Sequence, residues 1–201
     1  MSFRFVSALL ATFLISAVPA QASLPFYNQD LGYTIWLSDG WREASDSHLS
    51  HFKGFHDGVA AHGAGWEAGY TLEDSGASLL VSELHGRVIS KASIGNFNQF
   101  VVREFQRVSS AKEWRDGGKV RLNKASFDKQ KNMLRLEMDT TDAHGKPLTS
   151  VVYIVYTNGC MLKFVGVADQ GDIQSVESID AAVSSLYLDY GLRQETFDSV
   201  Q

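Results

Sequence analysis

The sequence predicts an α+β domain, a mainly antiparallel β-sheet flanked by helices. Three observations predict it. Apolar residues repeat with a period of two in several short runs and at three- and four-residue spacing in two longer ones. Turn residues such as Asp39-Gly40, Asp74-Ser75-Gly76 and Asn158-Gly159 separate the short runs. The strands come in neighbouring pairs punctuated by helices, an order that suits hairpins rather than parallel crossovers.

Tyr33-Thr34-Ile35-Trp36-Leu37 alternates apolar and polar residues and opens the fold as a strand. Asp39-Gly40 ends it and Trp41 follows as a large anchor. Arg42 to Gly65 shows no clean period and reads as an irregular excursion rich in Gly, His, Ser and Asp. Gly69–Leu72 and Ala77–Leu84, joined by Asp74-Ser75-Gly76, predict a hairpin.

Phe97, Phe100, Val101, Phe105 and Val108 mark a helix with one buried face, with Asn96 as its expected N-cap. Gly117-Gly118 breaks the chain after it. Val120 and Leu122 then begin a strand, and Leu134, Leu136 and Met138 define the next. There Arg135, Glu137 and Asp139 point the other way, so one face is wet.

Val151 to Tyr156 and Met161 to Val167 are apolar on both faces and therefore central. Asn158-Gly159 between them suits a type I′ turn, in which both central residues take positive φ. Ile173, Val176, Ile179, Val183 and Leu186 form the stripe of a last helix, with Asp172 as N-cap.

The remaining readings concern export and partners. Arg4, the apolar run Phe5–Val18 and Ala20-Gln21-Ala22 form the three parts of a signal peptide over residues 1–22. Residues 23–201 are then one domain, periplasmic or secreted, with no second apolar run of membrane length. Cys160, the one cysteine, cannot form an intramolecular disulfide. It is expected to be buried, the alternative being a thiol that pairs between chains. Hydrophobic residues at 44% and charged residues at 20% exclude a disordered chain. Eighteen Lys+Arg against 23 Asp+Glu, a charge of −5, exclude a typical nucleic-acid binder, which needs a basic surface to displace counterions.

The order of elements, opened by Tyr33-Thr34-Ile35-Trp36-Leu37-Ser38-Asp39-Gly40-Trp41, resembles the Mog1/PsbP-like superfamily. The resemblance covers the chain after residue 22. It implies an α/β/α sandwich and roles in binding and assembly rather than catalysis. Members commonly carry Pro where this chain has Ser38, and Arg42–Gly65 has no counterpart, so no functional residue is carried over.

Candidate site residues fall into three groups. His48, His51, His56 and His62 lie within fifteen residues, and neutral imidazoles are good ligands for zinc or copper. No metal-binding spacing is present, so a solvated polar loop is the competing reading. Trp36, Trp41 and Trp66 are candidates to line a ligand groove, against the alternative of capping the sheet. Ser126-Phe127-Asp128-Lys129 has the Ser-x-x-Lys spacing of some hydrolases but lacks the helix start that chemistry needs.

Together these residues predict an exported, non-catalytic binding or assembly-assisting protein of the cell envelope. Its partner is an envelope protein or small ligand. The alternatives are metal binding or delivery through the His48–His62 stretch, and a hydrolase with a cryptic site.

Overall fold

An apolar run with no polar face can be stable only when both of its sides are covered. The computed structural model describes residues 23–52, 65–84, 89–110, 120–142 and 144–189, and such runs lie at its centre. In chain order the strands are β1 (Leu24–Asn28), β2 (Tyr33–Leu37), β3 (Trp41–Glu43), β4 (Ala68–Leu72) and β5 (Ser78–Leu84), then β6 (Arg121–Asp128), β7 (Met133–Thr141), β8 (Pro147–Tyr156), β9 (Met161–Asp169) and β10 (Tyr187–Leu188). The helices are α1 (Asp46–His51), α2 (Lys91–Ser110) and α3 (Ile173–Ser184). Seven strands form one sheet in the order β3-β4-β5-β9-β8-β7-β6, and a smaller sheet has the order β1-β2-β10. All pairings are antiparallel.

As expected, β8 and β9 are central. Alternate residues supply two separate cores. Val151, Tyr153 and Val155 with Leu162 and Phe164 face α3 and the small sheet. Val152, Ile154 and Tyr156 with Val165 and Val167 face α2. On the first face Tyr33, Ile35 and Leu37 of β2 are fully buried, and the Tyr33 ring stands edge-on to Phe164 at 5.4 Å. On the second, Ile94, Val101 and Phe105 of α2 cover the sheet, while Leu49 of α1 packs above Gly69. The layers are therefore helices, a seven-stranded sheet, and a third layer of α3 beside the three-stranded sheet.

Local departures from the expectations have physical causes. The excursion from Arg42 contains β3 and the short α1, which Ser45 caps by accepting from the His48 amide at 3.3 Å. A six-residue helix offers too few turns for periodicity to register. The strands β1 and β10 are short edges of the small sheet whose little buried area leaves no periodic signal in the sequence. Asn96 is not the cap of α2, which begins at Lys91. Phe100 is exposed, because the buried stripe runs through Ile94, Asn98, Val101 and Phe105. The Val108 side chain lies outside the described residues.

Neither Asn158 nor Gly159 takes positive φ, so the β8–β9 connection is not a type I′ turn. Instead the Thr157 hydroxyl accepts from the Gly159 and Cys160 amides at 3.3 and 3.0 Å and donates to the Cys160 carbonyl at 2.7 Å. That side chain satisfies the loop without left-handed backbone. Cys160 itself is half-buried at the end of this loop rather than enclosed in the core.

Among the described glycines, Gly166 of β9 has the least room for a side chain. A Cβ there would lie 2.4 Å from Cγ2 of the buried Ile179, so the absent side chain lets α3 sit close to the sheet. Gly166→Ala is expected to cost about 1–3 kcal/mol by overpacking. Ile179→Ala should cost less in that background than alone. A double-mutant cycle from urea unfolding tests the coupling, and simple additivity would show that the two positions do not compete for space.

Candidate functional site

α3 covers β8 and β9 but not the outer strands β6 and β7, so the wet face of β7 borders a cleft. Period-two alternation aims Arg135 and Glu137 into it, beside Tyr153 of β8, while the third- and fourth-residue spacing of α3 adds Val176 and Asp180. Lys124 of β6, Thr149 of β8 and the Gly171–Ile173 turn complete its wall, and its volume is about 550 Å³.

A closed polar network forms its floor. Arg135 donates from Nε and Nη2 to the two carboxylate oxygens of Asp180 at 2.7 and 2.8 Å, a bidentate pairing. Its Nη1 donates to Glu137 Oε2 at 2.9 Å. The Tyr153 hydroxyl donates to Asp180 Oδ1, and the Arg135 guanidinium carbon lies 6.0 Å from the Tyr153 ring centre. The Arg135 side chain is only 15% exposed, against 36% for Asp180.

Burial opposes the charge on Arg135, but the hydrogen bonds to Asp180 and Glu137 outweigh it and its pKa is raised. Burial first, then the Asp180 carboxylate, pushes the Tyr153 phenol well above its ordinary value, so it remains a protonated donor. The floor therefore presents fixed donors and acceptors rather than an activated nucleophile. Sequence reading placed Arg135 and Glu137 on a wet face but could not assign Asp180 to them across 45 residues.

The tryptophans expected to share a groove are dispersed. Trp41 is 1% exposed in the core facing α3, where its Nε1 donates to Ser178 Oγ at 3.0 Å. Trp66 packs on the opposite face of the sheet, donating to the Phe52 carbonyl at 3.0 Å. The Lys163 ammonium lies 4.9 Å from its ring centre. Trp36 stands on the outer face of the small sheet. The three rings belong to different parts of the fold, Trp36 to β2, Trp41 to β3 and Trp66 to the segment just before β4.

His48 and His51 lie on α1, and His48 Nε2 shares a hydrogen bond with Ser78 Oγ at 3.0 Å. His56 and His62 lie outside the described residues. Among the described residues no three His, Cys, Asp or Glu side chains gather as a metal site. Ser126 and Lys129 fall at the end of β6 and in the turn after it. Among the described residues no helix is long and apolar enough to cross a membrane.

No family model matches the chain, and no curated protein is similar to it in sequence. Solved structures are similar in fold. The solution structure of cyanobacterial PsbP (CyanoP) from Synechocystis sp. PCC 6803 superposes with a TM-score of 0.51 at 15% identity, covering 86% of this chain and 95% of that one. LpqN of Mycobacterium tuberculosis, involved in cell envelope biogenesis, gives 0.45 at 13% identity, with 84% and 91% covered. PA94 of Pseudomonas aeruginosa, a protein of unknown function and putative regulator, gives 0.41 at 9% identity, with 87% and 99% covered. The resemblance implied by the opening strand thus holds at the level of fold, which is the α+β, PsbP-like one.

Two outcomes follow from this geometry. Asp180→Ala strands a mostly buried guanidinium and a phenol, and is expected to cost about 1–3 kcal/mol. Adding Arg135→Met should recover part of that loss in urea midpoints, whereas no recovery would show the pair is not the cause. His48 has a pKa below its ordinary 6.5, because burial and then the neighbouring His51 disfavour its charge. A lowered value means the unfolded chain binds the proton more readily. His48 therefore contributes stability that is complete above pH 6.5 and lost as the pH falls through its folded-state value. His48→Gln should flatten that part of the stability profile, and an unchanged slope would exclude His48 as its source.

Proposed function

We propose that this chain is an exported, non-catalytic binding protein of the cell envelope that holds a small ligand in the cleft between α3 and β6–β8. The observation that carries the reading is the Arg135–Asp180–Glu137–Tyr153 network at the cleft floor. Its one cation is shared between two carboxylates and all are held on rigid elements, which suits recognition by hydrogen bonds. A volume of about 550 Å³ is within the range of small-molecule sites. The signal-peptide pattern of residues 1–22, which lie outside the described residues, supports export.

Native mass spectrometry tests this on protein taken gently from its own envelope after expression of the full chain. The expected result is a mass above that of the bare chain by an organic ligand, an adduct lost in Thr149→Trp, which fills the cleft. A bare monomer mass, or an adduct that survives that substitution, overturns the cleft reading. An increment equal to a zinc or copper ion would instead move the function to the His48–His62 stretch.

A further inference from the structure

A second surface, independent of the cleft, lies on the outer face of the three-stranded sheet. Residues paired directly across an antiparallel ladder point to the same side. The pairs Pro25↔Trp36, Tyr27↔Thr34 and Tyr187↔Thr34 therefore place Tyr27, Trp36 and Tyr187 on one face. Their neighbours Tyr33, Ile35 and Leu37 point inward and are fully buried, so this face is the outward one. Tyr27 is 58% exposed, Tyr187 49% and Trp36 36%. The two tyrosines flank Thr34 on the outer strands, about 10 Å apart across three strands.

The charged side chains that the described residues of this layer themselves supply are of one sign. Residues 23–41 and 171–189, which hold the small sheet and α3, include six carboxylates and no Lys, Arg or His. One of the six, Asp189, is drawn to the aromatic face itself, where its Oδ2 accepts from the Tyr27 hydroxyl at 3.1 Å. Asp30 lies in the turn at one end of β2 and Asp39 in the turn at the other. Among the described residues three cations reach this layer from the large sheet: Arg135 to Asp180 and Lys131 to the Ser184 carbonyl, both on α3, and Arg42 to the Trp41 carbonyl, where it also pairs with Glu73. Exposed aromatic faces attract cations through their quadrupoles, and carboxylates at their edge add to the same field.

We propose that this aromatic, carboxylate-edged sheet face docks a polypeptide segment bearing Lys or Arg side chains. The cationic heads lie over the tyrosine and tryptophan rings, and their stems cover the apolar surface between them. The complementarity selects a basic partner over a second copy of this acidic chain, whose like charges would oppose face-to-face pairing.

The test uses a fluorescently labelled Arg-Gly repeat peptide and protein purified from cells that express the full chain. The peptide is expected to bind, and binding should weaken as salt is raised. Trp36→Ala with Tyr187→Ala should weaken it about tenfold or more. Asp189→Asn should weaken it measurably, while the same charge change at Glu73→Gln should leave it unaltered. Amide and indole chemical shifts of the unsubstituted protein guard against variants that misfold: they should move at Tyr27, Thr34, Trp36 and Tyr187, and not at Thr149. Several results would overturn the proposal. These are shifts elsewhere, equal loss in Glu73→Gln, equal binding of a Glu-Gly repeat, binding of an N-acetylglucosamine oligomer at this face instead, or a dimer in sedimentation that Trp36→Ala dissolves.

Discussion

Two-sided burial of β8 and β9 is the constraint on which the rest depends. With Val151–Tyr156 apolar at every position, each face of the sheet needs its own cover, and no single layer can supply both. α2 and α1 meet the need on one side, α3 and the small sheet on the other. The small sheet has little independent stability, since its strands are two to five residues long. It is held because Tyr33, Ile35 and Leu37 complete the first core. Gly166 sets the distance at which that third layer closes, by removing the one side chain that would hold Ile179 off the sheet.

The incompleteness of this cover creates the cleft. α3 reaches across β9 and β8 but leaves the wet face of β7 open, and a charged residue at that margin needs partners. Arg135 finds them in Asp180 and Glu137, so one network ties α3 to the sheet and also forms a polar floor. Structural and recognition roles coincide in it, because a bidentate pair that fixes the helix also fixes where its remaining donors point.

The outer face of the same third layer carries a different chemistry. Its inward residues are committed to the core, so strand alternation leaves Tyr27, Trp36 and Tyr187 in solvent. Asp189 accepts from Tyr27 at their edge, and residues 23–41 and 171–189 of the layer include no basic residue. Cleft and aromatic face thus lie on two sides of one layer, the first with its carboxylates paired to Arg135 and the second edged by Asp189.

What the sequence by itself determined are the properties that depend on near neighbours in the chain. Period-two and helical spacing are local, so the central pair β8–β9, the wet face of β7, the helices α2 and α3 and the Asp172 cap could all be read from it. The resemblance carried by Tyr33–Trp41 extended that reading to the fold. Tertiary structure alone decided the rest. The split into two sheets, the pairing of Arg135 with Asp180, the dispersal of Trp36, Trp41 and Trp66, and the joining of Tyr27 to Asp189 all couple residues far apart in sequence. The turn after β8 shows the boundary at close range, where Asn158-Gly159 signalled a left-handed turn and the Thr157 hydroxyl supplied the needed hydrogen bonds instead. Periodicity reports which face of an element is apolar. Only packing decides which other element that face meets, because burial is non-directional and the partner is selected by shape and polar satisfaction in three dimensions.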